Sequence, residues 1–188
     1  DRSGNLWFGC NSNDGLYWYN LKTKSFHSIR EIQALKKYWG KEVSYVLEDS
    51  KRRYWISTTY QGVILYDPAR ETVREFKQSN TNQMGLAGNT VIDIKEDKTG
   101  LIWISCFNGV TSIDPEKMQF KTYNNRNGLA GCTVGPLAID DSNRVWMGVN
   151  GGLAMLDADR KHFTTFTEKD GLSSIQFPEH AGVICRDG

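Results

Sequence analysis

Amide and aromatic side chains cluster in this sequence where loops should lie, and their chemistry suits sugars. Asn and Gln amides can exchange hydrogen bonds with hydroxyls, and flat rings can stack on pyranose faces. The candidates for ligand contact are Tyr60, Gln61, Phe107, Asn108 and Asn150, with Tyr38, Trp39 and His180. Each has a plainer reading beside it. Asn and Gly are good turn formers, and Tyr38 and Trp39 could simply tie their segment to the body of the protein. Of the histidines, His27 and His162 adjoin aromatic residues of outer strands and read as solvated edge positions. His180 alone precedes an inner strand.

Catalytic and metal chemistry have little support. The spacing of Ser, His and acidic residues supports no triad, so no catalytic residue is assigned. No HExxH, EF-hand loop or phosphate-cradling glycine loop is present. The four cysteines, Cys10, Cys106, Cys132 and Cys185, include no C-x-x-C pair and read as free, buried hydrophobes. No metal and no cofactor is expected.

The elements that would carry these residues come from a repeat. Trp7, Trp55, Trp103 and Trp146 are 48, 48 and 43 residues apart, and Asp1, Asp49, Asp97 and Asp140 stand six places before them. The cleanest copy is Asp97 to Asp114, DKTGLIWISCFNGVTSID. Each copy reads as an Asp turn, a Trp strand ending in a small residue (Gly9, Ser57, Ser105, Gly148), and a loop. A glycine-led apolar strand then ends in Asn or Asp, and a short aromatic strand closes the copy. Apolar residues six and three places before the Asp, such as Val91 and Ile94 before Asp97, mark a further strand. Four short strands at a period of 40 to 50 residues make a propeller blade.

The fold expected is therefore all-β, about four blades of four antiparallel strands. Residues 1–188 would form a single propeller segment with repeats near 1–48, 49–96, 97–139 and 140–186. Blade one would lack its first strand, and Ala181 to Arg186 would supply a fifth one. The four repeat tryptophans should be core, packed between blades. Trp18 takes the place of Leu65, Ser112 and Met155 and reads as packing. Arg52 stands where Gly4 and Gly100 stand in other copies, and Arg tolerates positive φ poorly, so the turn of blade two should differ. Ile32, Leu35 and Tyr38 or Trp39 have helical spacing, with Gly40 as a stop. Alternating strand direction would bring one set of loops to one face: Asn11 to Asp14, Thr59 to Gln61, Phe107-Asn108 and Asn150. The connections Arg30 to Lys41, Gln78 to Asn89, Asn124 to Asn127 and Lys169 to Glu179 would join them.

Composition sets outer bounds. With 23 basic and 22 acidic residues the net charge is +1, and no basic stripe argues for nucleic acid. No apolar run approaches the roughly 18 residues of a membrane span, and no signal peptide opens the chain.

The copies Asp1-x-x-Gly4-x-Leu6-Trp7-Phe8-Gly9 and Asp97-x-x-Gly100-Leu-Ile-Trp103-Ile-Ser resemble the two-component regulator propeller repeat. Gly109-Val, Asn127-Gly128-Leu129 and Asp170-Gly171-Leu172 add to the likeness, which runs the length of the chain. It departs at Arg52, Ser57 and the inserted Arg30 to Lys41. In that family such repeats form the extracytoplasmic sensor region of hybrid two-component sensors of Bacteroides-type bacteria, above a membrane helix and a histidine kinase. The resemblance implies a periplasmic segment without catalysis, the outer part of an inner-membrane protein that detects glycan-derived oligosaccharides or another small molecule. Its partners would be the remaining blades of the same sensor, or a second copy in a homodimer. The alternatives are a propeller lyase or hydrolase, with His180 and carboxylates at the channel, and a protein-interaction scaffold.

Overall fold

A computed structural model describes residues 1–188 apart from 11–14, 80–84, 132, 179–181 and 183–188. The described strands form four antiparallel sheets. The first holds β1 (Asn5–Gly9), β2 (Leu16–Asn20) and β3 (Ser25–Ser28). The second holds β4 (Val43–Glu48), β5 (Tyr54–Thr58), β6 (Gly62–Asp67) and β7 (Thr72–Phe76). The third holds β8 (Val91–Glu96), β9 (Ile102–Cys106), β10 (Gly109–Asp114) and β11 (Gln119–Tyr123). The fourth holds β12 (Val134–Ile139), β13 (Val145–Val149), β14 (Gly152–Leu156) and β15 (Phe163–Phe166). Strands pair in chain order within every sheet. The fold is all-β, built of propeller blades. Two compact units divide the chain, Asp1–Lys77 and Gln78–Gly188, each with two of the sheets. The expected fifth first strand at 181–186 falls outside the described residues.

The Asp–Trp spacing has a direct physical cause. Each indole N–H donates to the carboxylate six residues upstream: Trp7 to Asp1 at 2.8 Å, Trp55 to Asp49 at 3.0 Å, Trp103 to Asp97 at 2.9 Å and Trp146 to Asp140 at 2.8 Å. The other carboxylate oxygen accepts turn amides, such as Thr99 and Leu101 at Asp97. One side chain thus closes the turn and satisfies the only polar atom of a packed indole. A charged hydrogen bond of this kind contributes about 1.5–3 kcal/mol.

Within the first unit Leu16, Ile29, Leu35, Tyr54 and Ile56 form the core, with Trp7 and Trp18 packed on it. Trp7 lies 5.1 Å from Trp18 and 4.8 Å from Tyr54 of the next sheet, so it packs between blades as expected. In the second unit Trp103 shares a core with Val134, Leu137 and Met147 of the following sheet.

Three expectations need correction. The turn of blade two is the same as the others. Arg52 N donates to Asp49 O at 3.0 Å, as Gly100 N does to Asp97 O at 2.9 Å, and Arg52 takes φ +66 where Gly4 and Gly100 have +83 and +84. Trp55 and Trp103 are fully buried, but Trp7 and Trp146 are half-buried. Trp146 has as ring partners Phe166 at 5.5 Å and the Arg144 guanidinium, also at 5.5 Å. The inserted segment is two 3-10 turns, Ile29–Glu31 and Gln33–Tyr38, separated by extended Ile32. Three residues per turn put Leu35 and Tyr38 on one side, and both are buried.

Candidate functional site

The second unit has a cavity of 370 Å³ at the loop end of its sheets. Its walls come from five elements. Strand bulges supply two of them, because the innermost strands β8 and β12 slip register between Val91 and Asp93 and between Val134 and Leu137. A bulge re-aims side chains, and here the residues inside the slips, Ile92 and Gly135, line the cavity. The β9–β10 loop adds Phe107, which is 45% exposed, and the β13–β14 loop adds Asn150. The fifth wall is the stretch Ile175–Pro178.

Gly148 permits that last wall. A Cβ there would lie 2.8 Å from the Cβ of Phe177, so the small residue ending the Trp strand makes room for the returning chain. Gly9 does the same in the first unit, where a Cβ would meet Val43 O at 2.1 Å. The cavity therefore has an aromatic rim, Phe107 and Phe177, and polar points at Asn150, Gln176 and Thr133. That arrangement can hold a small neutral polar molecule by stacking and amide hydrogen bonds.

Asp93 fixes the two innermost strands beside it. The residue is buried, and its Oδ2 accepts the Leu137 amide at 2.9 Å while Oδ1 takes the Lys95 ammonium at 3.0 Å. Sequence reasoning missed Asp93, because it falls between the apolar markers Val91 and Ile94 and is not part of the repeat.

The structure brings Phe107 and Asn150 together. Asn108 lies beside Gly88 in the same unit, its Nδ2 3.7 Å from where a Cβ would stand. The first unit holds another group. Gln61 accepts from the Lys41 ammonium, and Tyr60 is 72% exposed with φ +61. Trp39 is 41% exposed with the Arg30 guanidinium 4.3 Å over its ring. Tyr38 is buried and takes the tying role. Its hydroxyl donates to Glu75 at 2.6 Å, and burial pushes that hydroxyl's pKa up. His180 and the loop Asn11 to Asp14 lie outside the described residues.

His27 is more than a solvated edge. It stacks on Trp18 at 5.3 Å and bridges Ser25 Oγ and Glu31 Oε2, both at 2.8 Å. The same Glu31 carboxylate caps the first 3-10 turn by accepting Ser28 N, which gives the chain of bonds a structural purpose. Cys106 is buried and free, and burial raises its thiol to about 12, so it is inert as a nucleophile. Cys10 is free and half-buried, while Cys132 and Cys185 lie outside the described residues. Among the described residues no group of three or more His, Cys, Asp or Glu could hold a metal ion, and no helix is long and apolar enough to cross a membrane.

The two component regulator propeller family model matches residues 85–108, which include Asp97, Gly100, Trp103 and the loop bearing Phe107. Residues 85–108 thus match the two-component regulator propeller repeat. It is similar to the extracellular domain assigned to hybrid two component system BT3049 from B. thetaiotaomicron, with a TM-score of 0.74 and 28% identity over 92% of this chain and 23% of that one. The extracellular domain assigned to hybrid two component system BT4673 from the same organism gives 0.67 and 21% over 91% of this chain and 25% of that one. A catalytically inactive virginiamycin B lyase from Staphylococcus aureus gives 0.66 and 14% over 89% and 53%, a likeness of fold alone. The chain spans about a quarter of the sensor domains it resembles. No curated protein matches it.

Proposed function

We propose that this chain is a ligand-sensing segment of a hybrid two-component sensor, on the periplasmic side of the inner membrane, and that it detects a glycan-derived oligosaccharide. The kinase would lie elsewhere in the same protein. The observation that carries the ligand reading is the cavity rimmed by Phe107 and Asn150. It offers stacking and amide donors without a charge cluster, which suits a neutral sugar better than an ion. The 28% likeness to a sensor's extracellular domain supports the cellular role.

Titration calorimetry of this chain against neutral oligosaccharides tests the reading. Saturable binding that weakens about tenfold or more in Phe107→Ala and in Asn150→Ala, with folding unchanged, is the expected result. Binding indifferent to both changes would move the site elsewhere, and turnover of the sugar would replace sensing with catalysis.

Further blades of the same protein are proposed as partners of the first sheet. Leu6, Phe8 and Phe26 are exposed there, whereas Tyr54 and Ile56, which hold the places of Leu6 and Phe8 in the second sheet, are buried. Sedimentation separates this from a homodimer. A dimer abolished by Phe8→Asp would assign the face to a second copy.

A further inference from the structure

Arg52 is left-handed where other copies of the turn have Gly or Asn, and its side chain pairs with Glu48, four residues away, at 3.2 Å. Its turn amide does the same work as that of Gly4, Gly100 and Asn143, and each of those residues suits positive φ better than Arg. Lys24, Glu71, Met118 and Arg160 also take positive φ, so the surroundings of the Arg52 side chain, and not its φ, carry the argument. The Arg52 guanidinium lies on a cavity of 410 Å³ in the first unit, lined also by Arg2, Lys22, Glu48, Tyr54 and Pro68.

Three cations face one carboxylate there. Glu48 is already shared: Oε2 accepts the Arg2 amide at 2.6 Å and Oε1 accepts Arg52 Nη1 at 3.2 Å. Arg2 spends Nη1 on the neutral Asp49 carbonyl at 2.9 Å, so its charge is not matched. Each guanidinium has five N–H donors and uses one among the described residues. The Lys22 ammonium has no partner among the described residues. Tyr54 is held by its hydroxyl, which donates to Asp1 Oδ2 at 3.0 Å, and forms a fixed apolar wall.

We infer that Arg2, Lys22 and Arg52 form a binding site for a phosphate or sulfate group. Two guanidinium forks and an ammonium on one small cavity match an anion with three or four oxygens better than a single carboxylate. The site is separate from the cavity at Phe107 and does not rest on the sugar reading.

The test is titration of the full chain with inorganic phosphate and sulfate at low ionic strength, followed by thermal melts. Saturable binding is expected, with at least a tenfold loss in Arg52→Gly. That variant should melt at or above the wild-type temperature, since glycine is at ease at this φ. Lys22→Ala should weaken binding severalfold with an unchanged melt, because its ammonium holds nothing in the fold. Glucose 6-phosphate in place of phosphate distinguishes a sugar-borne anion, which would bind tighter, from the free ion, which would bind equally; both support the site. Absence of saturable binding by all three probes would overturn the inference. So would an Arg52→Gly protein that melts lower yet binds unchanged, since Arg52 would then serve only its ion pair with Glu48.

Discussion

Asp97–Trp103 and Asp140–Trp146 are the same couplet in two settings. The indole bonds are nearly equal, at 2.9 and 2.8 Å, and each carboxylate also takes an arginine. The source of the arginine differs. Asp140 is paired at 2.6 Å by Arg144, four residues on in its own turn. Asp97 is paired at 2.7 Å by Arg160, which reaches it from the next sheet and sits 4.9 Å over the Trp103 ring. The Asp97 and Arg160 side chains are 0% and 14% exposed, against 12% and 42% for Asp140 and Arg144. The Asp140 couplet, closed by its own turn, stays near the surface, while the Asp97 couplet, closed from the next sheet, is a buried joint between blades. Asp49 is buried although Arg53 of its own turn pairs it at 2.8 Å, so the source of the arginine does not by itself set burial.

Replacing the rings gives the largest contrast. Trp103→Ala should cost about 3–5 kcal/mol in denaturant unfolding, and Trp146→Ala about 1–3, in line with partial burial. Equal costs would mean the burial difference has no energetic weight. The carboxylates come next. Asp97→Ala strands an arginine and several donors and should cost about 3–5 kcal/mol, while Asp140→Ala should cost about 1–3.

The arginines sharpen the comparison further. Arg160→Ala should cost about 1.5–3 kcal/mol and loosen the joint between the third and fourth sheets, seen as faster amide exchange at Leu137. Arg144→Ala, in an exposed pair, should cost about 0–1 kcal/mol. A reversed order would place the strength of the couplet in its own turn.

Acid is the gentlest probe. Burial pushes both carboxyls up, but hydrogen bonds outweigh it and hold both below the ordinary range; they come from Thr99, Trp103 and Leu101 at Asp97, and from Trp146 and Arg144 at Asp140. A lowered folded-state pKa stabilises above the ordinary aspartate value and loses that contribution as pH falls through the folded one. Stability should thus be level above about pH 5 and decline below about pH 4. Asp97→Asn should flatten that decline more than Asp140→Asn, as read from unfolding midpoints between pH 2 and 6.

The sequence alone determined the strand order, the turns and the blade repeat, because their partners lie within a few residues. An Asp that caps its own turn and takes an indole six places on leaves a mark at constant spacing. So do Asn20, Asp67, Asp114 and Asp157, each of which accepts amides of the turn that follows it. Phe107 and Asn150 were legible as loop residues, and their meeting in one cavity was not. The tertiary structure decided the rest: Arg160 on Asp97, Asp93 on the Leu137 amide, and Phe177 over Gly148. These contacts join residues tens of positions apart. Their donors and acceptors face each other only after the sheets have packed, so no spacing along the chain records them.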